Sequence, residues 1–262
     1  MSVNKIAVIG AGNMGGAIVK GIINSGYLAA SSICVADPRK ETREFFENLG
    51  TKTTDNNIEA VSWADLVVFA IKPYHIEIVM NEVKQVLSSD KMLVSIVAGI
   101  SLEQLTNYSG LENPDIYRVI PNTAISIQES MTCIVANSDK NLAVVQELFN
   151  HLGKTIVINE DLMAAATALA SCGTAFALRY VRASMQGGIE MGFSAETAQF
   201  ITSQTVLGAV KLLLESGSHP EVEIDKVTTP KGLTITGINE MEHMGFSFAV
   251  IKGLVSSFNK MG

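Results

Sequence analysis

Residues 5–20, KIAVIGAGNMGGAIVK, set Gly10, Gly12 and Gly15 between an apolar run suited to a β-strand and an apolar-periodic run suited to a helix. In that strand–turn–helix context the three glycines have separate uses. Gly10 permits a tight turn, Gly12 removes a side chain where a pyrophosphate would approach, and Gly15 lets helix and strand pack closely. The free amides and the dipole at the helix start then favour phosphate. The stretch therefore predicts a nucleotide-binding α/β domain.

The rest of the first half extends this pattern. SICVAD, DLVVFAI, MLVSIVAG, DIYRVI, MTCIVA and KTIVI read as strands, several apolar almost throughout, as expected where both faces are covered. Helical patterns such as RKETREFFENLG, YHIEIVMNEVKQVL and KNLAVVQELFNHLG lie between them. Alternation of this kind implies a doubly wound, Rossmann-type parallel sheet with right-handed crossovers. After Glu160 the strand signal ends, and residues 159–262 read as all-helical, with Gly173 as a break and Ser194 as an N-cap. We divide the chain into a dinucleotide-binding domain, 1–158, and a helical domain, 159–262. The later helices are apolar around most of their circumference, which calls for burial against a second subunit.

Composition removes several function classes. A net charge of −7 without any long run of like charges argues against a nucleic-acid surface. Cys34, Cys133 and Cys172 share no close spacing, so neither a disulfide framework nor a metal site is expected, and a reducing, cytoplasmic setting is. The longest uncharged run, 162–178, reads as too short and too polar for a membrane span, and the N-terminus carries no leader pattern. No membrane or nucleic-acid partner is expected.

Coenzyme choice stays open. Asp37 ends the second strand, where a carboxylate ordinarily accepts from an adenosine ribose 2′-OH, favouring NAD. Arg39 and Lys40 follow at once and could pair with a 2′-phosphate, favouring NADP. FAIKP (69–73), VAGIS (97–101) and VIPNT (119–123) end further strands with small or turn-prone residues, leaving room for a nicotinamide ring.

In this order and spacing, GAGNMGGAI, DLVVFAIKP, VSIVAGIS, RVIPNT, EDLMAAATAL and VTTPKGLTITGINEMEHMGF resemble the pyrroline-5-carboxylate reductase family over nearly the whole chain. That resemblance implies a dinucleotide-binding domain joined to a helical dimerisation domain, interleaved with its twofold mate. Some members assemble dimers into decamers. It implies reduction of the C=N bond of 1-pyrroline-5-carboxylate to L-proline by NADPH, with NADH the less frequent donor. It carries cofactor roles to Gly10, Gly12, Asn13, Met14, Gly15, Ala36, Pro38 and Asn57, and to Ala70, Ile71, Lys72, Pro73 and Ala98, beside the Asp37 and Arg39 read above. It carries substrate roles to Glu160, Thr229, Gly232, Leu233 and Thr234, with Thr234 the catalytic candidate. Lys231 stands where the family has glycine, Ala124 where it has proline, and SCGTAF where it has GSGPAY.

Two other readings remain at this stage. A β-hydroxyacid dehydrogenase-like reductase would need a catalytic lysine in the helical half, and no lysine follows Glu160 until Lys211. A non-catalytic dinucleotide-binding paralogue would fit the departures but not the retained Gly232 and Thr234. His219, before a proline, reads as a helix-start residue, and Cys172 as a packing residue.

Overall fold

The computed structural model describes residues 3–261. It forms two compact units, residues 3–171 with Met261, and residues Cys172–Lys260. In the first, strands β1 (Ile6–Ile9), β2 (Ile33–Ala36), β3 (Lys52–Thr54), β4 (Leu66–Phe69), β5 (Met92–Ser95), β6 (Asp115–Ile120), β7 (Ser130–Ala136) and β8 (Gly153–Val157) make a single sheet. Their spatial order is β3-β2-β1-β4-β5-β6-β7-β8. Connecting them are helices α1 (Asn13–Ser25), α2 (Lys40–Glu47), α3 (Asn57–Trp63), α4 (Ile76–Val83), α5 (Leu102–Ser109) and α6 (Leu142–Asn150).

The strand faces explain the apolar runs. Ile6 and Val8 join Ile18, Val19 and Ile22 of α1, Phe46 of α2 and Leu148 and Phe149 of α6 in one core. Ala7 and Ile9 point the other way, to Ala60 and Val61 of α3, Met80 and Val83 of α4 and Leu105 of α5. With both faces covered, β1, β2, β4 and β5 are buried at every position, which is why alternation is absent from their sequences.

Two features depart from the expected sheet. The pattern does not identify β3, a short and partly exposed strand of Lys and Thr. The sheet is also mostly, not wholly, parallel, because β6 and β7 pair antiparallel. Only a short 3-10 turn, Thr123–Ile127, lies between them, and a parallel return needs a crossover of a dozen residues or more.

Beyond β8 the chain enters α7 (Met163–Ala166) and a π-helical stretch, Thr167–Cys172, immediately before Gly173. The break expected at Gly173 is thus a widened helical turn leading into α8 (Gly173–Glu190). The division between the compact units falls at Ser171 and Cys172, inside this run. The second unit continues with α9 (Ala195–Ser216), α10 (Pro220–Val227), α11 (Leu233–His243) and α12 (Phe246–Asn259). Ser194 caps α9 by accepting from the Thr197 N–H, and His219 Nδ1 does the same for α10 from the Glu221 N–H, as the sequence suggested.

Among the described residues α10, α11 and α12 bury none of their side chains within one chain. Phe200, Leu214 and Phe248 are each more than 70% exposed. Exposed large apolar side chains in this number mark an association face. The helical run Glu160–Glu190 is also long and apolar enough to cross a bilayer by length and composition alone.

Candidate functional site

The sheet order reverses direction at β1, whose neighbours β2 and β4 are both parallel to it. Ligands of such sheets bind beyond the carboxyl ends of the strands at that reversal. Here the three strand ends are tied together. The Gly10 N–H donates to the Ala36 carbonyl at 2.7 Å, and the Ala70 N–H donates to the Ile9 carbonyl at 2.9 Å.

The glycines fit the roles expected of them. Gly10 has φ +88°, and a Cβ there would lie 2.8 Å from the Ala70 carbonyl oxygen. A Cβ on Gly15 would come within 2.0 Å of the Gly10 carbonyl oxygen. Gly12 has open space around it and starts α1 without a side-chain cap. The first amides of α1 therefore lack intrahelical acceptors and face a cleft of about 690 Å³. Such a cradle fits a pyrophosphate.

Ala11, Gly12, Asn13, Gly16, Ala17, Lys20, Arg39, Thr42, Phe45, Thr123 and Ser126 are among the residues lining this cleft. Lys20, Thr42, Phe45 and Ser126 were not singled out from the sequence, and Thr123 was read only as the end of VIPNT. A signal existed for one of them. Residues 13, 16, 17 and 20 share one stripe of α1, so Lys20 follows from the helical period. Its ammonium sits 4.6 Å from the Phe45 ring centroid.

At the adenosine end Asp37 is buried, and Arg39 and Ala11 both donate to its carboxylate. Burial acts to raise the Asp37 pKa. The hydrogen bonds from Arg39 and Ala11, with the Arg39 charge, outweigh burial and hold the group below its ordinary range. Asn57 opens α3 and donates its amide to Glu82 at 2.9 Å, while its neighbour Asn56 caps the helix. On the nicotinamide side, Ala70 and Ile71 border Gly10. Lys72 is the exposed N-cap of a 3-10 turn that Pro73 opens, and Ala98 is exposed beyond β5.

The proposed substrate residues divide between the units. Thr229, Gly232, Leu233 and Thr234 share one turn in the second. The Gly232 N–H donates to the Thr229 carbonyl at 2.8 Å, and α11 begins at Leu233 with Gly232 as N-cap and no side-chain cap. The Leu233 side chain is almost fully exposed, so its contribution to a ligand is its amide. Lys231 adopts φ +61°, which accounts for glycine at this position in the family. A lysine there carries strain of about 1 kcal/mol.

Glu160 lies in the first unit. Its Oε1 accepts from Arg118 Nη1 at 2.5 Å and from the Leu102 N–H, at the start of α5, at 2.7 Å. It thus ties β6 and α5 to the entry of the helical run. Asn122 makes a second tie, donating its amide to the Ala170 carbonyl at 3.1 Å. Arg118→Leu should lower stability by about 1–2 kcal/mol, less than for a fully buried pair because Glu160 is partly exposed. The shift in denaturant midpoint measures this, and an unchanged midpoint would free Glu160 from a structural role.

Comparisons with known proteins agree with this geometry. A profile described as "NADP oxidoreductase coenzyme F420-dependent" matches residues 5–99, and one described as "Pyrroline-5-carboxylate reductase dimerisation" matches residues 160–262. Pyrroline-5-carboxylate reductase 1 of Dictyostelium discoideum is 41% identical over 98% of the chain, which spans 49% of that relative. Pyrroline-5-carboxylate reductase 2 of the same organism is 38% identical, with 97% of this chain and 91% of the relative covered. The crystal structure of Plasmodium falciparum pyrroline carboxylate reductase with NADP bound superposes with a TM-score of 0.89 at 28% identity, covering 98% of this chain and 96% of that one.

Fold and cleft define an NAD(P)-dependent oxidoreductase with a Rossmann-type sheet and a helical association domain. More particularly, the chain belongs to the pyrroline-5-carboxylate reductase family.

Proposed function

We propose that this chain reduces the C=N bond of 1-pyrroline-5-carboxylate to L-proline, the last step of proline biosynthesis, with NADPH as donor. The observation that carries the reading, beside family membership, is the opening of α11. Its first amides have no side-chain cap, and the hydroxyls of Thr229 and Thr234 make no hydrogen bond among the described residues. That is a ready seat for a small carboxylate with a neighbouring ring nitrogen.

Bound reduced nicotinamide supplies a hydride to the imine carbon. The amides of Gly12 to Gly15 hold the pyrophosphate, and the small residues Ala70 and Ala98 leave space for the ring. The amides of Leu233 and Thr234 orient the substrate carboxylate. Thr234 Oγ1 accepts from the iminium N–H and afterwards serves the product amine. An iminium is already electrophilic, so orientation is the larger share of the work.

The apolar faces of α8 to α12 support a homodimer with interleaved helices, in which the α11 turn of one protomer meets a dinucleotide cleft. Dimers would assemble further, as far as decamers. A dimer interface, not a bilayer, is the covering assigned to this surface. Three free thiols, Cys34, Cys133 and Cys172, support a cytoplasmic setting.

Adding 1-pyrroline-5-carboxylate to the assembled protein with NADPH should consume the reduced coenzyme and yield equimolar proline. Failure to form proline with either coenzyme sinks the assignment.

A further inference from the structure

Resting on the reading of the α11 start as the seat of the substrate carboxylate, we propose that Lys231 is a specificity-determining residue. Its ammonium pairs with that carboxylate and selects carboxylated cyclic imines over neutral ones. The backbone around it has a defined form. The Gly232 N–H donates to the Thr229 carbonyl at 2.8 Å, Pro230 holds the second position, and Lys231 has φ +61° at the third. These are the marks of a type II β-turn, whose third residue needs a positive φ and is therefore ordinarily glycine. Gly232 has an ordinary φ of −75° and is glycine for want of space. A Cβ there would lie 2.5 Å from Thr229 Oγ1 and 2.9 Å from the Thr229 carbonyl oxygen. Two adjacent positions thus call for glycine, and this chain fills the first with lysine.

Charge adds a second local cost, independent of the backbone. Lys231 precedes Leu233, the first residue of α11, by two positions, where the positive end of the helix dipole lies. The first turn of α11 carries no acidic residue to offset it. Lys231 is exposed, and its ammonium makes no ion pair or hydrogen bond among the described residues. Glu223, on the preceding helix, is already engaged by Lys226 at 2.7 Å. A cation at a helix start is the reverse of the arrangement that stabilises one. Neither cost is offset by a contact within the chain. An anion on the α11 amides relieves the second directly, because ammonium and amides then share one negative charge. Conflicts of this kind between local preference and fold collect where a ligand is held.

Lysine suits this task. Its four-carbon stem is flexible and its ammonium has three donors, enough to meet one carboxylate oxygen while the helix amides take the other. An imine without a carboxylate gains nothing from the charge. The carboxylate is also unchanged by hydride transfer, so the contact is equally strong before and during the reaction. Lys231 therefore acts on KM and leaves kcat alone.

The test combines three measurements on the assembled protein: steady-state kinetics with 1-pyrroline-5-carboxylate, competitive inhibition by cyclopentanecarboxylate and by its neutral carboxamide, and thermal unfolding. Lys231→Gly should raise KM about 5- to 20-fold with kcat within about threefold. It should weaken inhibition by the carboxylate by the same factor and leave inhibition by the carboxamide unchanged. Its melting temperature should rise by about 2 °C or more, as strain and charge conflict are both removed. Lys231→Gln keeps the strained backbone and loses the charge, and should match the raised KM. Lys231→Arg keeps the charge and should stay within about threefold of the unaltered protein. Added salt should raise KM more steeply for the unaltered protein than for Lys231→Gly. A KM that moves less than about twofold in Lys231→Gly overturns the proposal, as does a low KM retained by Lys231→Gln. Equal weakening of carboxylate and carboxamide also overturns it, and so does a Lys231→Gly protein that melts lower, since the lysine would then serve the fold. An unaltered protein that forms no proline from 1-pyrroline-5-carboxylate removes the functional reading and this proposal with it, an outcome distinct from the others.

Discussion

Gly15→Ala should lose dinucleotide binding by about 100-fold or more and destabilise the first unit by about 3 kcal/mol. The new methyl would sit 2.0 Å from the Gly10 carbonyl oxygen and 2.9 Å from the Ala70 Cβ. Neither neighbour is the end of a flexible side chain. The Gly10 oxygen belongs to a turn whose own amide is bonded to Ala36, so relief requires moving α1 away from the strand ends. That movement displaces the amides meant for pyrophosphate, and binding and folding fail together. Gly12→Ala separates the two effects. No atom lies within 4 Å of a Cβ on Gly12, so the unliganded protein should keep its melting temperature. Its coenzyme affinity should still fall by about 10-fold or more, because the space is open only until a phosphate enters it. Calorimetric affinity beside thermal unfolding, run on both variants, gives the comparison. A Gly12→Ala protein that binds normally would show that the pyrophosphate lies elsewhere.

The same residues show how far sequence reaches. The glycine loop was legible because each glycine answers a local steric demand, and local demands are written in adjacent residues. The buried strands were legible for a related reason: a strand covered on both faces must be apolar at every position. Helix α5 was not identified, although its signal was present. Ser101 and Gln104 form a reciprocal capping box, hidden by the preceding strand end, VAGIS. The antiparallel return into β7 left no mark in residue type, only in the shortness of its connection.

The site was harder to read wherever charges had several partners to choose from. Asp37, Arg39, Lys40 and Arg43 crowd one stretch of sequence, and composition alone offers every pairing among them. Only the geometry commits Arg43 to backbone carbonyls and leaves Arg39 on Asp37. Glu160 presents the same problem over a longer range. Its partners, Leu102 and Arg118, lie 58 and 42 residues away, and no local pattern connects them. Lys231 was visible as a departure from the family, but the reason for glycine there, a positive φ, belongs to the backbone alone.

Thr234→Ala should reduce kcat by about 10- to 100-fold, with coenzyme affinity unchanged within about twofold. The residue is exposed near the start of α11, and its hydroxyl has no partner among the described residues. Losing that oxygen therefore costs the fold little, and alanine favours the helix. What disappears is the one side-chain group proposed to meet the substrate nitrogen, so the ring can still seat its carboxylate on the α11 amides but loses its angular register. Thr234→Ser, which keeps the oxygen, should retain most of the turnover. Thr236 supplies the internal control. It lies in the same helix, but its hydroxyl already donates to the Gly232 carbonyl at 3.1 Å. Thr236→Ala should thus change kcat by less than about threefold. If steady-state kinetics make Thr234→Ala and Thr236→Ala indistinguishable, the helix amides alone orient the imine and Thr234 leaves the mechanism. A large loss at 234 that serine restores would locate the hydrogen-bond partner of the substrate nitrogen on a single oxygen atom.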